Sequence, residues 1–98
     1  MRFDNKVILI TGATSGIGAA AARRFGAAGG RLVISGRNSE RGAAVADEIA
    51  AAGGEAHFIA AELGDSAACN QLVAAAVERF GRLDVLVNAA GVIFRKDA

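Results

Sequence analysis

The stretch Thr11-Gly12-Ala13-Thr14-Ser15-Gly16-Ile17-Gly18 sits between the apolar run Val7-Ile8-Leu9-Ile10 and the helix-forming segment Ala19-Ala20-Ala21-Ala22-Arg23-Arg24-Phe25. Glycines in that place bring backbone N–H groups close to a ligand at a helix N-terminus, where the helix dipole favours an anion. The chemistry this suits is phosphate binding. Gly12 permits a tight turn, Gly16 allows a pyrophosphate to approach the backbone, and Gly18 lets the helix lie near the strands. The spacing is G-x-x-x-G-x-G, not the usual G-x-G-x-x-G, and the same glycines would also serve an ordinary strand-to-helix turn. The phosphate loop of ATPases is excluded, because neither Lys-Ser nor Lys-Thr follows the glycines.

A second group of residues bears on which dinucleotide would bind. A dinucleotide fold places an acidic residue about 20 positions further on, at the end of the second strand, to bind the ribose 2′-hydroxyl. Gly36 takes that place here, and Arg37 follows it. A guanidinium can hold a 2′-phosphate through charge-assisted hydrogen bonds, and Gly36 removes the carboxylate that would repel it. The expectation is NADP(H) in preference to NAD(H), with Ser35 and Asn38 offering neutral contacts. The plainer alternative for Arg37 is a solvated cation at a strand end.

Acid–base chemistry has few candidates. There is no tyrosine, and beyond carboxylates and Cys69 only Lys6, Lys96 and His57 remain. His57 falls at the start of a strand, where a structural or surface role is expected. Asp65, Glu78, Asp84 and Asp97 fall at a helix cap, on a polar helix face, on a strand and in the tail, where capping and solvation account for them. A single cysteine forms no internal disulfide and no metal cluster, which fits a buried thiol in a reducing compartment. No catalytic or metal-binding residue is expected within the chain.

The elements that must position these residues alternate. Val7–Ile10 reads as a strand buried on both faces, and Ile17, Ala21 and Phe25 recur on one face of the helix that follows. Gly29-Gly30 ends it. Arg31–Ser35 is a second strand, and Asn38 or Ser39 caps a helix carrying Val45 and Ile49, stopped at Gly53-Gly54. His57–Ala60 is a third strand, followed by Asp65 at an N-cap and a stripe of Leu72, Val73, Ala76, Val77 and Phe80 up to Gly81. Leu83–Val87 is a fourth strand, leading into Asn88-Ala89-Ala90-Gly91. This order builds an α/β fold, a doubly wound parallel sheet with right-handed crossovers.

Composition agrees with one compact unit. The 98 residues are 53% hydrophobic and 21% charged. No apolar run approaches the ~20 residues of a membrane span, and the N-terminus has no secretory pattern, so the expected address is cytoplasmic with no membrane partner. A formal charge of +1 argues against a nucleic-acid partner. The last residues, Val92–Ala98, open a new segment without a partner element, so the chain is expected to be cut.

Taken together, the residues resemble the N-terminal, cofactor-binding half of a short-chain dehydrogenase/reductase of the classical type. Thr11 to Gly18 matches that family's Thr-Gly-x-x-x-Gly-x-Gly loop, and Asn88-Ala89-Ala90-Gly91 is similar to its Asn-Asn-Ala-Gly motif, with Ala89 in place of the second Asn. Glu62, followed by Leu63, stands where the family has an acidic residue for the adenine amino group. The resemblance implies a partial Rossmann-type sheet of strand order 3-2-1-4, truncated after the fourth strand, with the dinucleotide across the strand C-terminal ends. It also implies that Gly12, Thr14, Ser15, Gly16, Ile17, Gly18, Arg37, Asn38, Glu62, Leu63, Asn88, Ala89, Ala90 and Gly91 form the cofactor site.

In that family hydride moves between nicotinamide and a carbonyl or alcohol carbon, with the proton handled by a Tyr-x-x-x-Lys motif that this sequence lacks. The chain alone is expected to be inactive, and marginal or oligomeric because its fourth strand carries an unpaired edge. The longer parent is expected to be a homo-oligomer acting on a small-molecule alcohol or carbonyl. Two rival readings stay open at this point: a non-catalytic dinucleotide-binding module or inactive remnant, and a structural fragment whose glycines are only turns.

Overall fold

A computed structural model describes residues 2–14, 16–61 and 66–89, with the side chains of 66–68 excepted. The described elements run β1 (Val7–Thr11), α1 (Gly16–Ala27), β2 (Arg31–Gly36), α2 (Ser39–Ala51), β3 (Glu55–Ala60), α3 (Ser66–Phe80) and β4 (Val85–Asn88). The strands form one sheet in the order β3-β2-β1-β4, with every pairing parallel. The expected order is therefore the observed one. Because parallel strands share a direction, Thr11 beside Asn88 and Gly36 beside Ala60 bring all four C-terminal ends to one edge.

Burial on both faces explains the apolar runs. All five residues of β1 are buried, and alternation sends Ile8 and Ile10 toward α1 and α2 but Leu9 toward α3. Leu32 and Ile34 join the first core, with Ala22, Val45 and Ile49, while Val33 joins Leu72 and Ala76 in the second.

The buried face of α1 is not the expected one. Gly18, Ala19, Ala22 and Gly26 are buried, Ile17 is 69% exposed, and Ala21 and Phe25 only border the core. Small residues win this face because the helix presses close to its neighbours. A Cβ at Gly18 would overlap the Gly12 carbonyl oxygen, and one at Gly26 would stand 2.8 Å from Ile49 Cγ2. Ile49 is thus seated against α1, and on the far side an exposed Arg23–Glu48 pair joins the two helices through bonds of 3.0 and 3.1 Å.

Helix ends follow their capping residues. Asn38 is the N-cap of α2, its side-chain oxygen accepting the Arg41 N–H at 2.9 Å. Both α1 and α2 close with paired bonds: Gly29 N–H to Gly26 O and Gly30 N–H to Phe25 O, then Gly53 N–H to Ala50 O and Gly54 N–H to Ile49 O. Gly81 ends α3 by donating to Val77 O. Asp65, the expected cap of α3, lies outside the described residues. On α3 Leu72 and Ala76 are buried and Val73 and Phe80 border the core, but Val77 is 43% exposed and so leaves the expected stripe. Among the described residues, no helix is long and apolar enough to cross a membrane.

Two strand starts differ from the apolar runs. β3 begins at Glu55, before His57, because Arg31 and Leu32 of β2 continue the ladder opposite Glu55 and Ala56. β4 begins at Val85, after Leu83, because Asp84 pairs with β1 differently: its N–H donates to Val7 O at 2.9 Å and its carboxylate accepts the Val7 N–H at 2.8 Å. Asp84 also accepts from Arg82 at 2.7 Å. Leu86, beside Leu9 in the ladder, shares the α3 face yet is 48% exposed.

Two expectations test this packing. Gly26→Ala gains about 1 kcal/mol of helix propensity but must displace the Ile49 side chain, and overpacking costs about 1 to 3 kcal/mol. Urea unfolding should show a net loss of stability; a gain equal to the propensity term would mean that α1 and α2 are not in this contact. The Arg82 guanidinium, and next the Val7 N–H, hold the Asp84 carboxyl below the usual carboxylate range. Such a group adds stability that is full above its unfolded value, about 3.9, and is lost as pH falls through the lower folded value. Asp84→Asn should therefore flatten the fall of Tm below about pH 4, measured by circular dichroism; an unchanged acid limb would remove Asp84 from acid sensitivity.

Candidate functional site

At the edge where the strands end, the glycine loop is held in a strained but well-anchored shape. Gly12 and Gly16 have φ of 67° and 58°, the left-handed region that side chains rarely adopt. Above Gly16 a Cβ would meet nothing within 4 Å among the described residues, and the residue is exposed. Gly18, two residues on, has no such room. The two glycines therefore do opposite things: one leaves the backbone uncovered, the other closes the loop onto α1.

Hydrogen bonds tie the loop to its neighbours. Ala13 N–H donates to Ser35 O at 2.8 Å, and Ala61 N–H donates to Gly36 O at 3.0 Å, so the loop and the ends of β2 and β3 form one assembly. Thr11, buried at the end of β1, donates its hydroxyl to the Asn88 side-chain oxygen at 2.8 Å. This fixes Asn88 at the end of β4. Its sequence signal was a hydroxyl at the end of an apolar strand, since most buried hydroxyls are hydrogen-bonded.

Nine of the fourteen expected site residues lie among the described residues. Gly12, Thr14, Gly16, Ile17 and Gly18 line the loop and the first turn of α1, which carries no acidic residue. Arg37 is exposed directly after β2. Asn38 caps α2, so its oxygen is engaged with Arg41 N–H. Asn88 and Ala89 stand at the end of β4. Ser15, Glu62, Leu63, Ala90 and Gly91 lie outside the described residues.

Ser35 is a correction. Its side chain is fully buried, with no hydrogen-bond partner for the hydroxyl among the described residues, so it offers no neutral contact at the Arg37 corner. It serves the loop through its carbonyl instead. A different contact, absent from the sequence reading, does join the loop to that corner: a Cβ at Gly36 would overlap the Thr14 methyl.

A separate groove lies elsewhere among the described residues. An open volume of about 860 Å³ is bordered by Arg31, Glu55, His57, Glu78, Arg79 and Phe80 between β3 and α3. His57 sits mid-strand opposite Val33, with Nε2 3.2 Å from Glu55 and its ring 5.6 Å from Phe80. Cations and carboxylates alternate there, and the groove touches none of the glycine-loop residues. Cys69 is half-buried on α3.

Parallel strands feeding a glycine loop and a dinucleotide-type corner define a Rossmann-like nucleotide fold. Residues 6–98 match the short chain dehydrogenase family, and the chain belongs to that family. It is 50% identical over 92 residues to the 2,5-dichloro-2,5-cyclohexadiene-1,4-diol dehydrogenase LinX of Sphingobium indicum, covering 94% of this chain and 37% of that protein. Among solved structures it is similar to a metagenomic short-chain oxidoreductase in complex with NADP, with a TM-score of 0.80 and 43% identity over 86% of this chain and 38% of that one. It is also similar to a 7α-hydroxysteroid dehydrogenase complexed with NADH and 7-oxo glycochenodeoxycholic acid, with a TM-score of 0.84 and 36% identity over 89% of this chain and 34% of that one. The chain thus spans little more than a third of the length of these relatives.

The Thr11–Asn88 bond makes its own prediction. Thr11→Val keeps the shape but removes the donor, and should cost about 0.5 to 1.5 kcal/mol in urea unfolding, the net range for a lost hydrogen bond. Thr11→Ser should recover most of it. Equal stability of the Val variant would show that the bond contributes nothing.

Proposed function

We propose that this chain is the cofactor-holding part of an oxidoreductase that prefers NADP(H) and moves hydride between nicotinamide and a carbonyl or alcohol carbon of a small molecule. The observation that carries the reading is the loop at α1: positive φ at Gly12 and Gly16, with open space above Gly16 and a closed contact at Gly18. A pyrophosphate needs close backbone approach, exposed N–H groups and an unneutralised helix N-terminus, and these residues fit that need.

The roles divide along the edge. Gly12, Thr14, Ser15, Gly16, Ile17 and Gly18 hold the pyrophosphate and its flanks. Arg37 takes the 2′-phosphate, with Asn38 adding its amide N–H, and Glu62 and Leu63 border the adenine. Asn88, Ala89, Ala90 and Gly91 floor the site beyond β4. The bound cofactor supplies or accepts the hydride. This chain's own residues bind and orient, because it has no tyrosine to move the proton. The acid–base group then belongs to a longer protein, and residues 1–98 alone are inactive. The same reading takes that longer protein as a cytoplasmic homo-oligomer. The missing tyrosine also favours a second reading, a dinucleotide-binding module without chemistry; Tyr-x-x-x-Lys in the continuing reading frame would decide for the enzyme.

Calorimetric titration with NADPH and NADH tests the cofactor assignment, and NADPH should bind more tightly. Arg37→Asp should weaken NADPH far more than NADH, by at least the roughly 1.5 to 3 kcal/mol of a charge-assisted bond. Equal loss for both would refute the preference, and no binding of either by the unsubstituted chain would refute the site.

A further inference from the structure

We propose that Thr14 is a specificity-determining residue, whose methyl group fills the space that the first carbon of any side chain at position 36 would need. Cofactor choice is then set by a steric pair, Thr14 with Gly36, before the charge of Arg37 acts. The inference rests on the dinucleotide reading above and deepens it.

Geometry carries the argument. A Cβ on Gly36 would overlap Thr14 Cγ2 and would stand 3.2 Å from Oγ1 and 3.3 Å from Cβ of the same residue. Neither partner can retreat easily. Gly36 is the last residue of β2, paired with Ala60 and accepting from Ala61 N–H. Thr14 follows Ala13, whose N–H is bonded to Ser35 O. The two residues are thus pinned on the same strand end, and a β-branched side chain has few rotamers with which to escape.

An acidic residue at position 36 is the device that would favour an unphosphorylated ribose. Here it could enter only by rotating Thr14 or lifting the loop that holds the pyrophosphate. Gly36→Asp alone therefore does not exchange one cofactor for the other; it loosens both. Exchange requires that Thr14 lose its methyl as well.

Two sets of variants test the pair, one without ligand and one with. Without ligand, Gly36→Ala should lower Tm, Thr14→Ser should leave it nearly unchanged, and the double variant should recover most of the loss. With ligand, Gly36→Asp should weaken NADPH and NADH alike by about tenfold or more, the scale of an overpacked site. Thr14→Ser with Gly36→Asp should bind NADH about tenfold better than Gly36→Asp alone while NADPH stays weak. An unchanged Tm for Gly36→Ala, or NADH affinity in Gly36→Asp equal to that of the double variant, would overturn the proposal. If the unsubstituted chain binds neither dinucleotide, the proposed function fails and selection by Thr14 fails with it. The Tm series then reports separately whether the steric pair exists.

Discussion

A side chain at position 18 has nowhere to go, since its first carbon would overlap the Gly12 carbonyl oxygen. That closeness governs the edge of the sheet. With α1 pressed onto the turn, the loop must leave β1 and re-enter the helix within a few residues, which forces positive φ at Gly12 and Gly16. The same approach brings Ala22 and Gly26 down onto the sheet and turns Ile17 outward, so a residue of helical apolar periodicity ends exposed at the mouth of the site. A bulkier α1 would stand further off, the turn would relax, and the unobstructed backbone at Gly16 would be lost.

Polar groups around this edge are almost all committed to holding it. Thr11 fixes Asn88, Ser35 carbonyl fixes Ala13, Gly36 carbonyl fixes Ala61 and Asn38 caps α2. At the opposite end of the sheet Asp84 joins β4 to Val7 by both its backbone and its carboxylate. The Ser35 hydroxyl is the exception: it has no partner among the described residues. The described backbone of this edge is accordingly tied to its neighbours at several points.

Much of this was legible in the sequence because backbone constraints leave residue-type marks. Alternating apolar runs gave four strands and three helices in order, and glycine pairs after α1 and α2 marked their ends. What was not legible depends on distances between segments far apart in the chain. Ile17, Ala21 and Phe25 satisfy a helical period as well as Gly18, Ala22 and Gly26 do, and only the closeness of α1 to its neighbours selects the smaller set. Leu83 belongs to an apolar run, yet Asp84 breaks the ladder because its carboxylate can reach Val7. Gly36 reads in sequence as a missing carboxylate, whereas in the fold it is also a missing Cβ beneath Thr14. Contacts of this kind have no local period to betray them.

Parallel topology explains why the binding edge is this one. Every crossover starts its helix at the C-terminal ends of the strands, so α1 and α2 both direct their positive dipole ends to the same side. The two ends are treated differently. α2 has Glu40 in its first turn and Asn38 accepting one of its N–H groups, which together reduce its pull on an anion. α1 has no acidic residue in its first turn and begins at the open backbone of Gly16. Of these two helices, then, α2 has its positive dipole end offset by Glu40 and an engaged cap, and α1 has no acidic residue to offset its own. In the proposed function Arg37, between β2 and α2, is the cation on the side where the dipole of α2 is offset.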